Sequence, residues 1–243
     1  MDLLAALEHL RLKCVHIMCF GDFGQLPPVS NRWRGCGVPA TAFENSDLFL
    51  NWSEATRFVL KRCWRSDQTH FDFYTGLQGM RIREALAAAR ARYPARAEDS
   101  TWNITMSNFR RKKINQRLQR KAAAGQSEKI LIDGEDAEVH YHLFVGTRLI
   151  SANTVGKFVI GITPEGISLQ DEETKECFEA SVEQIAKHTE LRWALTLCAV
   201  QGKSLDGTIA IHDTGSVHFN IKHLYVALSR ATDGANVSIA TCR

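Results

Sequence analysis

The sequence predicts an α/β protein that carries a small all-β insertion, and three observations lead there. Helical periodicities alternate with apolar β-like runs over the first half of the chain. Short alternating strands separated by Gly, Pro, Asn and Asp crowd residues 129 to 182. Alternating α/β texture then returns and runs to the C-terminus, so the β module reads as an insertion within an α/β domain. With 243 residues, 44% hydrophobic and 23% charged, the chain accommodates one large domain or two to three small ones.

Taken in order, "LLAALEHLRL" places leucines at 3, 4, 7 and 10, the spacing of one helix face, and "CVHIMCF" switches to an apolar strand ending at Gly21-Asp22. A second helix is expected over 66–79, and the Ala/Arg-rich stretch from Arg81 to Arg92 is a third, stopped by Pro94. "TWNITMS" reads as a short strand and is followed by a basic helix from Phe109 to about Ala124. "KILID", "TRLISAN", "KFVIGIT" and "GISLQ" are the strands of the insertion, and "VEQIAKH" is a helix that closes it. "TIAIHD" reads as a buried strand and "HLYVALSRAT" as a strand passing into a helix. Repeats and low-complexity linkers are absent from the sequence.

Composition excludes more than it assigns. A net charge of +3 names no partner, although "RRKKINQRLQRK" at 110–121 gathers much of the positive charge; it is either a solvated helix face or a nucleic-acid surface. The seven cysteines are scattered without a Cys-x-x-Cys pair, as expected of reduced thiols in an intracellular protein. His212, Asp213, His218 and His223 cluster without a regular ligand spacing, so no metal site is expected in this chain. No segment approaches the roughly eighteen apolar residues of a membrane span, and the N-terminus does not read as a secretory signal. Organelle import stays open, since Met1 need not be the true start.

"LCAVQGKSL" at 197–205 ends in the Gly-Lys-Ser that closes a phosphate-binding P-loop, but it fails the rest of the motif. The glycine required five positions before Gly202 is Leu197, and without it the backbone does not readily curl its amides around a phosphate. "ANTVGKF" fails in the same way, with Ser151 in the leading position and Phe158 at the end. A Walker A loop is therefore not found in this sequence.

"FGDFGQLPPVS" at 20–30 is the most specific stretch. An apolar strand would deliver Asp22 and Gln25 to its C-terminal end, where open α/β sheets place ligands, and Pro27-Pro28 stiffens the exit. A glutamine there has both an amide donor and an acceptor for a terminal phosphate and an attacking water. The plainer alternative is a strand-to-turn junction with a Pro-Pro stop.

In "GDFGQLPPV" the chain resembles the third helicase motif of superfamily-one DNA helicases of the Pif/RecD type, and other motifs follow in that family's order. "LKRCWRSDQTHFDFYTGLQGMR" at 60–81 resembles the segment whose arginine, here Arg65, reaches the nucleotide from the second motor domain. "ITMSNFRRKKINQRL" resembles the Thr-Asn-x-x-x-x-x-Ile-Asn strand-helix, with Ser107, Asn108 and Asn115 in matching places. "LFVGTRLISAN" at 143–153 resembles the start of the small inserted barrel. "LTLCAVQGKSLD" resembles the fifth motif, and "LYVALSRAT" at 224–232 the sixth.

The resemblance implies a RecA-like P-loop NTPase motor fold: residues 1–62 as the remainder of a first motor domain, 63–134 with 190–243 as the second, and 135–189 as an inserted SH3-like β-barrel. It implies catalytic roles for Gln25, Arg65 and the arginine finger Arg230, and ATP-binding or coupling roles for Gly21, Asp22, Gln25, Gly202 and Ser229. Asn108, Gln201 and Ser204 would face DNA. ATP and Mg2+ are the implied cofactors, with the magnesium ligands outside this chain. An arginine suits such a site because its guanidinium brings five donors and a permanent charge to phosphoryl oxygens, and a finger is typically worth about 10³ to 10⁵ in rate. Alone, an arginine after a serine at a helix start reads as a surface or capping residue; the string "YVALSRA" downstream of "QGKSL" is what points to a finger.

The departures bear on function. Cys198-Ala199 replace the family's usual His-Lys, Ser204 its Thr, and Lys203 stands where an apolar residue is common; loss of the lysine should weaken or reroute a DNA contact. "NTVGKF" replaces the Asn-Gly usual in the barrel. Trp33, Trp52, Trp64, Trp102 and Phe158 are possible base-stacking groups, with core packing as the alternative for each. A motor also needs a Walker A lysine and a Walker B Asp-Glu. Asp2 and Glu8 sit on a helix rather than at a strand end, and Asp22 lacks an acidic residue after it. The expectation is the C-terminal part of a helicase, begun just after Walker B by a misassigned start, a fragmentary gene or a genuine truncation.

The sequence thus leads to part of an ATP-dependent DNA helicase with 5′–3′ polarity, acting as a monomer on single-stranded and forked DNA away from membranes. It would be nuclear or mitochondrial in a eukaryote and cytoplasmic otherwise, with repair, recombination, telomere upkeep, organellar genome maintenance or viral replication as its settings. The alternative is a catalytically inactive nucleic-acid-binding or regulatory fragment. A small-molecule α/β enzyme of unrelated family is a third, remote reading.

Overall fold

A computed structural model describes residues 58–133, 140–151, 156–163 and 166–241, together with 9–10, 12–13, 15, 18, 20–27, 32–33, 36–38, 42, 44 and 46–52. Most of the helix expected over residues 3–12, Asp2, Glu8, Pro28, Cys14, Cys19, Cys242 and the side chains of Trp33 and Trp52 lie outside the described residues.

In the N-terminal part, β1 (Arg32–Trp33) pairs antiparallel with β2 (Cys36–Gly37), and α1 spans Asp47–Trp52. Then come α2 (Gln68–Gly76), extended by a 3-10 turn over Leu77–Gly79, α3 (Ile82–Arg92), β3 (Trp102–Thr105) and α4 (Asn108–Ala123). The insertion holds β4 (Ile130–Asp133), β5 (His140–Leu143), β6 (Arg148–Ser151), β7 (Gly156–Ile162), β8 (Ile167–Asp171), β9 (Cys177–Ala180), α5 (Val182–His188) and β10 (Thr189–Leu191). The chain ends with β11 (Ala194–Thr196), the single turn α6 (Leu197–Val200), β12 (Ile209–Ile211), α7 (Ile221–Leu228) and β13 (Val237–Ile239).

One sheet is parallel, in the order β11-β3-β12-β13. Every residue of β3, β12 and β13 is buried; β12 reads as a continuous apolar run, whereas β3 and β13 carry the buried polar residues Asn103, Thr105 and Ser238. Helices α2, α3 and α7 supply Tyr74, Leu86, Ala89, Leu224 and Leu228 to the same core. The second sheet is antiparallel, in the order β10-β6-β7-β8-β9, with a bulge between Val159 and Gly161. Its core takes in Ile132 from β4, Leu149, Val159, Leu169, Ile185 and Leu191. The chain leaves the parallel unit after α4 and returns at β11, beside β3.

Asn115 pins that return point. Its amide donates to Leu191 O (3.0 Å) and Ala194 O (3.2 Å), and its Oδ1 accepts from Ala194 N (2.7 Å). All three of its buried partners would otherwise be orphaned at the seam between the two sheets.

One expectation is corrected. "HLYVALSRAT" contains no strand: α7 begins at a capping box in which Asn220 Oδ1 accepts from the amides of Lys222 and His223. Leu224 to Leu228 are all buried, and a helix buried all round imitates a strand in sequence. Arg230 therefore follows a helix C-terminus and does not stand at a helix start. The apolar strand expected at 14–20 lies mostly outside the described residues; of those described, Val15, Met18 and Phe20 are exposed.

Candidate functional site

The loop 20–27 is a turn built around Asp22. Its carboxylate accepts from Gly24 N (2.8 Å), from Gln25 Nε2 (3.4 Å) and from the Tyr225 hydroxyl (2.7 Å) of α7. Burial, then the neighbouring Asp22, pushes the Tyr225 hydroxyl well above its ordinary range, so it remains a donor. Lys222, one turn earlier, donates to Phe23 O at 2.7 Å. From the other side Gln201 Nε2 donates to Gln25 Oε1 (3.2 Å) and Leu26 O (3.4 Å). Residues separated by about two hundred positions thus meet at Gln25, and Tyr225 and Lys222 join them without having been singled out from sequence.

Arg65 and Arg230 flank the end of α7 in contrasting states. Arg65 is exposed, and its Nη1 donates to Ser229 O at 3.4 Å. Arg230 is only 2% exposed. Its Nε donates to Val226 O (3.2 Å), its Nη1 to Lys203 O (3.2 Å) and its Nη2 to Ser229 Oγ (2.9 Å). Burial, and then the charge of Arg65, lowers the guanidinium pKa from its usual value. Arg230 also anchors the 203–205 segment through its backbone, where Leu205 N donates to Arg230 O at 2.8 Å. In this conformation Arg230 is a clamp, while Arg65 presents its charge outward.

The three residues expected to face DNA are placed apart. Gln201 turns toward Gln25, as described above. Ser204, with Gly202 at φ +86°, lies on a 490 Å³ cavity between the two sheets, whose walls include Arg148, Phe158, Glu172, Arg192 and Lys203. Arg192, 3% exposed, pairs with Glu172 through both Nη atoms and lies over the Trp102 ring at 4.6 Å. That pair holds the Glu172 carboxyl below the usual carboxylate range. Gly156 makes room for it, because a Cβ there would strike the Arg192 guanidinium. Trp102 and Phe158 are therefore engaged by Arg192, whereas Trp64 is 83% exposed with the Arg62 guanidinium 4.0 Å above its ring.

Asn108 opens a second cleft, of 390 Å³, at the N-terminus of α4. Arg111, Thr196 and Ala199 line it on the side of the parallel sheet, and Lys187, His188 and Glu190 come from the insertion. Asp213 fixes the helix start: with its backbone at φ +60°, its Oδ2 accepts from Met106 N (3.1 Å), Ser107 N (3.1 Å) and Ser107 Oγ (3.2 Å). Sequence reading considered Asp213 only as a metal ligand and passed over Lys187 and His188. Only the folded insertion brings those two opposite Ala199.

Tested against a nucleoside triphosphate, the residues present fit one side of the ligand. The exposed Arg65 guanidinium and the amides of Gln25 and Gln201 suit a terminal phosphate. A cradle for the other phosphates is not in the sequence, and among the described residues no group of three or more His, Cys, Asp or Glu side chains could hold a metal ion. Among the same residues no helix is long and apolar enough to cross a membrane.

No family model and no curated protein matches the chain. Solved structures match it in fold. The Pif1 helicase from Candida albicans superposes with a TM-score of 0.59 at 18% identity, covering 92% of this chain and 64% of that one. Pif1 from Bacteroides in complex with ADP-AlF3 and single-stranded DNA gives 0.52 at 16% identity, covering 74% of this chain and 51% of that one. A structure of two coordinating Pif1 helicases, concerned with unwinding at forked double-stranded DNA, gives 0.52 at 18%, with 74% and 49% covered. The mixed α/β fold with its parallel sheet is thus the RecA-like motor fold of these helicases. The chain spans less than two thirds of their length.

Proposed function

We propose that this chain is the C-terminal portion of a Pif/RecD-type DNA helicase that couples ATP hydrolysis to 5′–3′ movement on single-stranded and forked DNA. The observation that carries the reading is the meeting of the Asp22–Gln25 loop with Gln201 and with Tyr225 of α7, the helix whose C-cap Arg65 contacts, in a fold shared with Pif1 helicases. ATP supplies the phosphoryl group whose transfer drives movement. Gln25 offers a donor and an acceptor at its terminal phosphate, and Arg65 brings a permanent charge. Gln201, bonded to Gln25, links that point to the segment running back to Thr196 and Ala199 on the Asn108 cleft. The nucleic-acid backbone runs along that cleft, against Asn108, Arg111 and Lys187. Arg230 acts in this scheme by holding residues 203–205 to the end of α7.

A second reading has its own support, since the sequence holds no Walker A loop: the chain by itself is a nucleic-acid-binding or regulatory fragment. DNA-stimulated ATP hydrolysis by this chain tests the second reading. No turnover is expected, and clear turnover abolished by Arg65→Ala would refute the fragment view. Reading the DNA upstream of Met1 for an in-frame Gly-Lys-Thr and Asp-Glu tests the larger protein, and stop codons there would sink it.

A further inference from the structure

Residues 65–70 and 228–234 are joined by three bonds that belong to no helix or strand ladder. Arg65 Nη1 donates to Ser229 O (3.4 Å), His70 Nε2 to Leu228 O (2.9 Å) and Gly234 N to Asp67 Oδ2 (3.2 Å). His70 is fully buried at the centre of this seam. Leu228 O can only accept, so Nε2 carries the ring proton and Nδ1 accepts from the Tyr93 hydroxyl at 2.7 Å. Tyr93 Oη in turn accepts from Arg92 Nε at 3.1 Å, which completes a satisfied buried chain around a neutral ring. Asp67 also caps α2, accepting from His70 N at 2.7 Å. A Cβ at Gly234 would stand 3.0 Å from three atoms of the His70 side chain, so the close passage of the 3-10 turn that Gly234 begins favours glycine.

The two carbonyls that accept from Arg65 and His70 are those of the C-cap Ser229 and of Leu228, the last residue of α7, where a helix leaves backbone acceptors without intrahelical partners. Bonding them from another segment fixes where the helix ends and hence where Ser229 and Arg230 start. Tyr74 extends the contact, packing edge-on against both His70 (5.1 Å) and Tyr225 (5.4 Å), the residue that holds Asp22.

We infer that His70 is a positioning residue: with Asp67 and Gly234 it locks the segment bearing Arg65 to the segment bearing Arg230, so that the two guanidinium groups keep one spacing. The claim rests on the phosphate-facing reading of Arg65 for its functional meaning, though not for its geometry.

The test follows the Nε–H resonances of Arg65 and Arg230 by NMR, with exchange of the Ala231 amide, in His70→Phe, His70→Gln and Val237→Ala, each beside its urea unfolding curve. His70→Phe removes both ring bonds, His70→Gln keeps a donor for Leu228 O, and Val237→Ala weakens the same core without touching the seam. Expected are displaced arginine resonances and about tenfold faster Ala231 exchange in His70→Phe, with wild-type resonances in the other two. Unmoved resonances in His70→Phe, or equal displacement in Val237→Ala, would overturn the inference. Should His70→Phe not fold, Asp67→Asn carries the test, with displaced resonances supporting the claim and unchanged ones refuting it. Tripolyphosphate affinity of the same samples should fall as far in His70→Phe as in Arg65→Ala. Unchanged affinity in Arg65→Ala would defeat the phosphate reading, while the resonances still decide the positioning claim.

Discussion

Replacing Arg230 and Arg65 separately by alanine distinguishes a clamp from a presented charge. Arg230 gives hydrogen bonds to Val226 O, Lys203 O and Ser229 Oγ from a position 2% exposed. At about 1 to 1.5 kcal/mol net for each bond, their loss costs roughly 3 to 4 kcal/mol. Removing a buried charge returns part of its desolvation penalty, which brings the expected loss for Arg230→Ala to about 3 kcal/mol. Arg65 is exposed and makes one long bond to Ser229 O, so Arg65→Ala should change stability by under about 0.5 kcal/mol. Against a typical total of about 5 to 15 kcal/mol the first loss is severe and the second negligible. Urea unfolding followed by tryptophan fluorescence, with the denaturant slope held constant, reads both numbers. A cost below about 1 kcal/mol for Arg230→Ala, or equal costs for the two variants, would refute the clamp assignment. The distinction matters for any activity assay: lost function in Arg230→Ala is interpretable only at matched stability.

Other outcomes follow from single contacts. His212 Nε2 bonds Asn103 Oδ1 (2.9 Å), while its buried Nδ1 meets no hydrogen-bond partner among the described residues; burial, reinforced by the charge of Arg110, pushes its pKa down to about 4. The folded state therefore binds fewer protons than the unfolded one, so stability is complete above about pH 6.5 and falls as pH drops toward 4, by about 2 to 3 kcal/mol from this residue. Chemical unfolding at stepped pH should show a shallower decline in His212→Gln. Gly156→Ala should cost about 2 kcal/mol by displacing the Arg192–Glu172 pair, and a melting temperature equal to wild type would contradict that packing. Asn115→Leu orphans three buried groups at the seam and should cost about 3 to 5 kcal/mol by urea unfolding; a loss under about 1 kcal/mol would remove Asn115 from that role.

The fold was legible wherever periodicity matched burial. Leu118 and Ile114 on α4 and the apolar run of β12 carry their own signal, whereas β5, where Tyr141 and Leu143 are buried and His140 and His142 exposed, was not read as a strand from the sequence. The end of α7 was misread because a helix buried on all sides loses its 3.6-residue pattern, while its true start is set by one side chain, Asn220. The site was legible in part. "GDFGQ" and "QGKSL" identify segments, yet Tyr225 meeting Asp22, and Gln201 turning to Gln25 while Ser204 lines another cavity, depend on tertiary packing that no local pattern encodes. Arg230 shows the same limit from the other side: its motif marks an arginine as important, and only burial tells whether it is presented or enclosed. Lys187 and His188 carry no motif, and they reach the Asn108 cleft because the insertion folds back over α4.

The central proposal is that the Asn108 cleft of this fold is a nucleic-acid surface. Fluorescence anisotropy of a labelled single-stranded oligonucleotide, titrated with the chain over a range of KCl concentrations, tests it most directly. The account predicts binding whose logarithm falls linearly with the logarithm of salt, with a slope reduced by about one in Lys187→Ala and in Arg111→Ala. Binding that is absent at low salt, or that is indifferent to salt and to both substitutions, would contradict it.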